Sequence, residues 1–353
     1  MRIERRLPVL LLLAACGMPD ARSTDRTGQP AMRESPGEYV YVSNEDSHDV
    51  TVIDATTDRV VATIAVGNRP RGIKVSPDGR TLYVALSGSP KCPPTMPEAE
   101  CASQKADRSK DGVAVVDVDT RRMVRVLPAG LDPETFDVSR DGTRLFVSNE
   151  DADSLTIVDL GTGHAILNVK VGREPEGVTV SPDGRTVWVT GETDDNITAI
   201  DVESGREIAR INTGGKRPRA IGFLPDGTKA YVTNESSGTV SVLDPVAKTV
   251  RAVIVLPEGS RPMGIAVAPD GRRLYVSNGR AATIALIDAV ADSLITTVPV
   301  GKRPWGIALT RDGRKLYTAN GPGNDVTMLS TETMTVLRTI HVGSVPWGVA
   351  IGP

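Results

Sequence analysis

One phrase recurs along this chain: a proline, a small-residue step, an apolar run, then Pro-Asp-Gly or Arg-Asp-Gly. It reads PRGIKVSPDG, PETFDVSRDG, PEGVTVSPDG, PRAIGFLPDG, PMGIAVAPDG and PWGIALTRDG, and the chain ends on PWGVAIGP. The leading prolines are Pro70, Pro133, Pro175, Pro218, Pro262, Pro304 and Pro346, spaced by 63, 42, 43, 44, 42 and 42 residues. A unit near 42 residues has room for four short strands but cannot bury a core alone, so neighbouring units must stack. The expectation is an all-β, seven-bladed β-propeller with one four-stranded blade per repeat. The first interval exceeds 42 by 21 residues, which places an insertion in the second repeat.

Residues Glu174 to Gly214 show how a repeat divides. EGVTV is strand A, SPDG is a turn, TVWVT is strand B, DNITAID carries strand C and REIARINT is strand D. Proline presets φ in the turn, and glycine tolerates positive φ. In strand A, Ile265, Ile307 and Val349 alternate with Gly264, Gly306 and Gly348. Small residues on one face let adjacent blades approach near the axis. Strand B is apolar on both faces, as in RLFV and RLYV, which suits a sheet sandwiched between two others. The start of the repeat region, from Tyr39, matches strands B, C and D, whereas PWGVAIGP matches strand A alone. Joined, they complete a mixed blade that closes the ring and leaves no bare inner edge.

The N-terminus, MRIERRLPVLLLLAACGM, has a basic start and a nine-residue apolar core from Leu7 to Ala15, too short to span a bilayer. Leu13-Ala14-Ala15-Cys16 is similar to a bacterial lipobox. Residues 1–15 are therefore expected to be a lipoprotein signal peptide and Cys16 the lipidated residue; an ordinary secretory signal is the alternative. Residues 16–38 are polar and aperiodic and read as a flexible tether. The propeller spans residues 39–353, with the insertion at 87–111. The expected location is the periplasmic side of the cell envelope, lipid-anchored, with a preference for the outer membrane. In that oxidising compartment Cys92 and Cys101 are expected to form a disulfide; free thiols or a metal are the alternatives. Neither cysteine has a second Cys or His at metal-ligand spacing, and CxxCH is absent.

Strand alternation sorts the loops. The D-to-A and B-to-C loops share one rim, the loop rim, and the A-to-B and C-to-D turns share the other. The turn rim carries the repeated aspartates Asp78, Asp183, Asp226 and Asp270, which read as turn formers. The loop rim carries the insertion and the varied side chains Arg69, Arg71, Asp132, Glu134, Glu174, Glu176, Arg217, Arg219, Arg261, Arg303, Trp305 and Trp347. These are the candidate binding residues. Acidic loops at Pro133 and Pro175 and basic ones at Pro70, Pro218, Pro262 and Pro304 predict an electrostatically two-sided rim. No catalytic residues are assigned, because no GxSxG, HExxH or P-loop motif occurs and the three histidines lie far apart. With 41 basic and 44 acidic residues, no charge excess points to nucleic acid.

LYVSN, AYVTN and YVYVSN, followed by VSVLD or VTVID and then VVATIAVG, resemble the YVTN-type β-propeller repeat from Tyr39 to Pro353. Within that group, RPRGI, EPEGVTVSPDG and GPGNDVTMLS with VGSVPWGVAI are most similar to the propellers associated with PQQ-dependent alcohol catabolism. The resemblance implies an exported protein accompanying a quinoprotein dehydrogenase. The cysteine-bearing insertion and the lipobox depart from that pattern. The expected function is that of a non-catalytic binding or scaffold lipoprotein with no cofactor and no assigned metal. Its partner would be a periplasmic or surface protein, a quinoprotein dehydrogenase or its cytochrome by the resemblance. The alternative is a lactonase-like hydrolase using a cation held by rim Glu and Asn residues.

Overall fold

The computed structural model describes residues 37–91, 96–97, 100 and 103–353. The expected signal peptide, lipidation site Cys16, most of the tether, and both Cys92 and Cys101 lie outside the described residues. The 28 strands from Tyr39 to Gly352 form seven four-stranded antiparallel sheets, so the protein is an all-β, seven-bladed propeller.

Blades 2 to 7 each follow the chain outward. Their innermost A strands are Pro70–Val75, Pro133–Val138, Pro175–Val180, Pro218–Phe223, Pro262–Val267 and Pro304–Leu309. Blade 1 is composite. The C-terminal strand Pro346–Gly352 pairs with Tyr39–Asn44, and Asp49–Asp54 and Arg59–Ala65 follow outward. Its register sets Val40 opposite Ile351 and Tyr41 opposite Ala350, and the Tyr41 hydroxyl donates to the Pro353 carbonyl at 2.8 Å. Each A strand touches the A strand of the next blade, and Pro346–Gly352 lies between those of blades 7 and 2.

The core lies between blades. Tyr41, Val50 and Val52 of blade 1 pack against Ile73, Leu82 and Val84 of blade 2, and the arrangement recurs around the ring. Strand B is therefore buried on both faces, whereas strand D is largely exposed. The small face of strand A meets backbone. A Cβ on Gly264 or Gly306 would lie 2.5 Å from the carbonyl oxygen of Trp305 or Trp347 in the next blade, so no larger residue fits.

The end of strand B explains the recurring Ser/Thr-Asn pair. Ser43, Ser148, Thr190, Thr233 and Ser277 donate across to the carbonyls of Arg71, Glu176, Arg219, Met263 and Trp305, at 2.6, 2.8, 3.0, 2.7 and 2.6 Å. Each hydroxyl thus fixes the second residue of the next blade's A strand. Blades 2 and 7 have Ala85 and Ala319 at this position. The asparagine ties strand B to strand C: Asn149 Nδ2 donates to Thr156 and Asn320 Nδ2 to Thr327, at 2.8 and 2.9 Å. At the opposite rim, Asp183 and Asp270 accept from the backbone of Arg185 and Arg272 at 3.0 and 2.9 Å, the turn role expected of them.

The insertion leaves blade 2 between Thr81–Leu86 and Gly112–Asp117. Its described ends reach both neighbours: Lys91 pairs with Asp46 at 2.7 Å, and Arg108 with Asp151 at 2.6 Å.

Candidate binding site at the axial mouth

The residue before each leading proline, Arg69, Asp132, Glu174, Arg217, Arg261, Arg303 and Val345, is left-handed, with φ between 44° and 56°. This conformation turns the chain from the outer strand back to the axis. The residue after each proline then opens strand A at the mouth of the central channel. In ring order these are Arg71, Glu134, Glu176, Arg219, Met263, Trp305 and Trp347. Two residues further on, Ile73, Phe136, Val178, Ile221, Ile265, Ile307 and Val349 form an apolar neck. A cavity of about 220 Å³ runs through it, lined by residues of all seven A strands, Glu176, Arg219, Met263, Trp305 and Trp347 among them.

The mouth has two unlike halves. In the polar half, Arg71 is only 4% exposed and pairs with Asp132 and Glu134 of the next blade, with Glu150 at 3.4 Å. Arg219 pairs with Glu176, with Glu192 at 2.5 Å and with Glu235 at 2.8 Å, and Arg217 also pairs with Glu192. Three guanidinium groups thus face six carboxyl groups, Asp132, Glu134, Glu150, Glu176, Glu192 and Glu235. Not all can stay ionised at low exposure. Burial pushes Glu134 up to about 8 against the pull of Arg71. It also raises Glu150, and it raises Glu176 well above the carboxylate range despite Arg219. Burial acts on Glu235 too, but Arg219 and Arg217 outweigh it and hold that carboxyl below its usual value.

The other half is aromatic. The Trp305 and Trp347 rings lie 6.2 Å apart, tilted by 55°, and the Arg303 guanidinium sits 4.9 Å from the Trp305 centroid. Such a cation over an indole face is attracted by the ring quadrupole. The Trp305 Nε1–H has no partner among the described residues.

All the rim residues singled out in the sequence lie on the loop side, but the two-sided charge pattern takes another form. Arg71 and Arg219 reach across blade boundaries to the acidic residues of blades 3 and 4, so opposite charges cancel within the wall. Arg69 is likewise engaged by Glu45 at 2.8 Å. Exposed Glu174 accepts from Thr193 at 2.5 Å, and Arg261 donates to Ser236 at 3.0 Å. Met263 completes the ring and was not singled out, because a lone methionine in an apolar strand reads as core. Aligning the seven post-proline positions as one column would have exposed it.

The rim asparagines donate through Nδ2 to strand C, and the Oδ1 atoms of Asn44, Asn149, Asn234, Asn278 and Asn320 have no hydrogen-bond partner among the described residues. Among the described residues, no three His, Cys, Asp or Glu side chains converge to hold a metal ion. His48 accepts from the Arg69 backbone at 3.3 Å on the loop rim, while His164 and His341 are exposed elsewhere.

A family model for the seven-bladed β-propeller lactonases matches residues 178–349, and one for YNCE-like β-propellers matches residues 102–185. No curated protein matches the sequence. Solved structures with the same fold include Kuenenia stuttgartiensis hydrazine synthase, at 24% identity over 82% of this chain and 92% of that one, with a TM-score of 0.70. A candidate 6-phosphogluconolactonase of Bacteroides uniformis is 19% identical over 89% of this chain and 99% of that one, with a TM-score of 0.72. At these identities the likeness establishes the fold alone.

Proposed function

We propose that this protein is a non-catalytic binding module that works at the axial mouth of its loop rim. In this reading a lipid on Cys16 holds it on the periplasmic side of the envelope, at the outer membrane. The observation that carries the reading is the division of the mouth. Its buried charges are neutralised by one another, while Met263, Trp305 and Trp347 face an open cavity. Preformed aromatic anchors beside an ion-paired polar wall suit recognition. The partner is a periplasmic protein, and the YVTN-type resemblance makes a quinoprotein dehydrogenase or its cytochrome the first candidate. The test is capture from periplasmic extract with the parent, Trp305→Ala, Trp347→Ala, and a double Asp183→Ala, Asp270→Ala variant. The dehydrogenase or cytochrome should be recovered by the parent and the aspartate variant and lost from both tryptophan variants. Recovery by the tryptophan variants would overturn the reading.

The match to the lactonase model favours a second reading, hydrolysis of a lactone. The cation route considered for it finds no converging acidic set, since no three His, Cys, Asp or Glu side chains among the described residues gather to hold a metal ion. A hydrolase here would rely on Glu176, which lines the cavity and keeps its proton above the ordinary carboxylate range, as a general acid. Glucono-δ-lactone hydrolysis by the parent that disappears in Glu176→Gln would favour this reading. No turnover above the uncatalysed rate would reject it.

A further inference from the structure

Four arginines precede a leading proline: two pair with the acid that follows strand B of the preceding blade, a third, Arg261, has Glu235 at that place but donates to Ser236, and the one in the aromatic sector has no acid there at all. Arg69 precedes the proline of blade 2 and pairs with Glu45, the residue directly after strand B of blade 1. Arg217 precedes the proline of blade 5 and pairs with Glu192, the residue directly after strand B of blade 4. Arg303 holds the same place before blade 7, but the residue after strand B of blade 6 is Gly279. The arginine is kept and its acid is gone. Among the described residues Arg303 makes no ion pair and no side-chain hydrogen bond, and its guanidinium lies over Trp305.

The missing side chains let neighbouring groups close in. Gly279 sits against the Met263 side chain and the Arg261 and Pro304 carbonyls, and Gly321, the equivalent residue of blade 7, sits against the Trp305 ring. Arg280 and Lys302, next to Gly279 and Arg303 in the chain, are exposed and likewise without ion pairs among the described residues. A guanidinium stacked on an indole keeps the N–H edge of its fork free, and that edge is suited to a carboxylate or phosphate.

We infer that this sector is a subsite for a compact planar organic anion, its charged group on Arg303 and its flat body against Trp305, Trp347 and Met263. The inference rests on the axial mouth being a binding site and names the chemistry of what enters it. The axial cavity of about 220 Å³ adjoins this sector through Met263, Trp305 and Trp347, and its size lies below the range typical of drug-sized ligands.

The experiment uses the intrinsic fluorescence of the full chain. Two of its three tryptophans are at the mouth, and the third, Trp188, is buried at 1% exposure between blades and supplies a constant background. Four probes share one ring and differ in charge: phenylacetate, phenyl phosphate, phenylacetamide and phenethylamine. At least one anion should quench at a concentration roughly tenfold below the neutral amide, the gain of a charge-assisted hydrogen bond, and the ammonium should bind least. The stronger anion distinguishes carboxylate from phosphate. Arg303→Gln should abolish the preference. So should Gly279→Glu, which places an acid where Glu45 and Glu192 stand opposite Arg69 and Arg217; its Cβ would lie 3.2 Å from Met263 Cγ, so that side chain must give by a few tenths of an ångström. Circular dichroism melts establish that both variants fold. Equal quenching by all four probes, or a preference that survives Arg303→Gln, overturns the subsite and leaves the mouth as a binding surface. No response to any probe also overturns the subsite, and capture by the Trp347 variant judges the mouth separately.

Discussion

Replacing Glu134 with glutamine should change how stability responds to pH. The carboxyl is 5% exposed and shares Arg71 with Asp132 and Glu150, so one guanidinium faces three acids. Burial raises Glu134 from the usual 4.5 to about 8. Between those values the native protein holds a proton that the unfolded chain has released. Stability is therefore fully present below about 4.5 and is lost as pH rises through about 8. A shift of that size, at about 1.4 kcal/mol per unit, sets a ceiling on the order of 4–5 kcal/mol, which coupling to Glu150 spreads over both groups. Glutamine has no such proton to lose and nearly the same shape. Urea unfolding followed by circular dichroism from pH 5 to 9 should show the parent losing ground to Glu134→Gln as pH rises. Titrating groups remote from Arg71 act alike in both proteins and drop out of the difference, whereas Glu150, coupled to Glu134, contributes to it. Parallel profiles, or a parent that gains on the variant above pH 6, would refute the assignment of a protonated carboxyl beside Arg71.

Deleting Pro346 to Pro353 should abolish cooperative unfolding or solubility, because it bares strand Tyr39–Asn44 and removes the A strand between blades 7 and 2; a truncation that melts like the parent would count against closure by the mixed blade. Ser277→Ala should lower stability by about 1 kcal/mol, read as a shift in urea midpoint, since it removes the link to the Trp305 carbonyl. If Cys92 and Cys101 are bridged, the gain over so short a loop is about 2–3 kcal/mol at most, and Cys92→Ser should leave the propeller melt intact. Two free thiols by mass spectrometry of protein from its native compartment would refute the bridge.

The blade count was legible because proline spacing reports it directly, and the small face of strand A was legible because small residues recur there, glycine in five of the seven blades, where neighbouring backbones meet. The turn aspartates and strand-end asparagines were also readable as local structure. The pairing of charges was not. Arg71 meets Asp132 and Glu134 across a blade boundary, and the insertion stretches that separation beyond the common period. In sequence these residues look like separate basic and acidic loops, and only the closed ring turns them into one neutralised wall. Arg303 is the converse case. Its isolation depends on Gly279, and the residue that is missing is visible only when the loops of successive blades are superposed.

The loop-rim mouth is the proposed working face. The most direct measurement is photocrosslinking in cells of the source organism, with p-benzoylphenylalanine at position 347 or at position 290. Trp347 stands at the mouth, and Val290, 75% exposed, stands in a C-to-D turn on the opposite rim. The account predicts a discrete crosslinked adduct from position 347 and none from position 290. An adduct from position 290 with none from position 347 would contradict it.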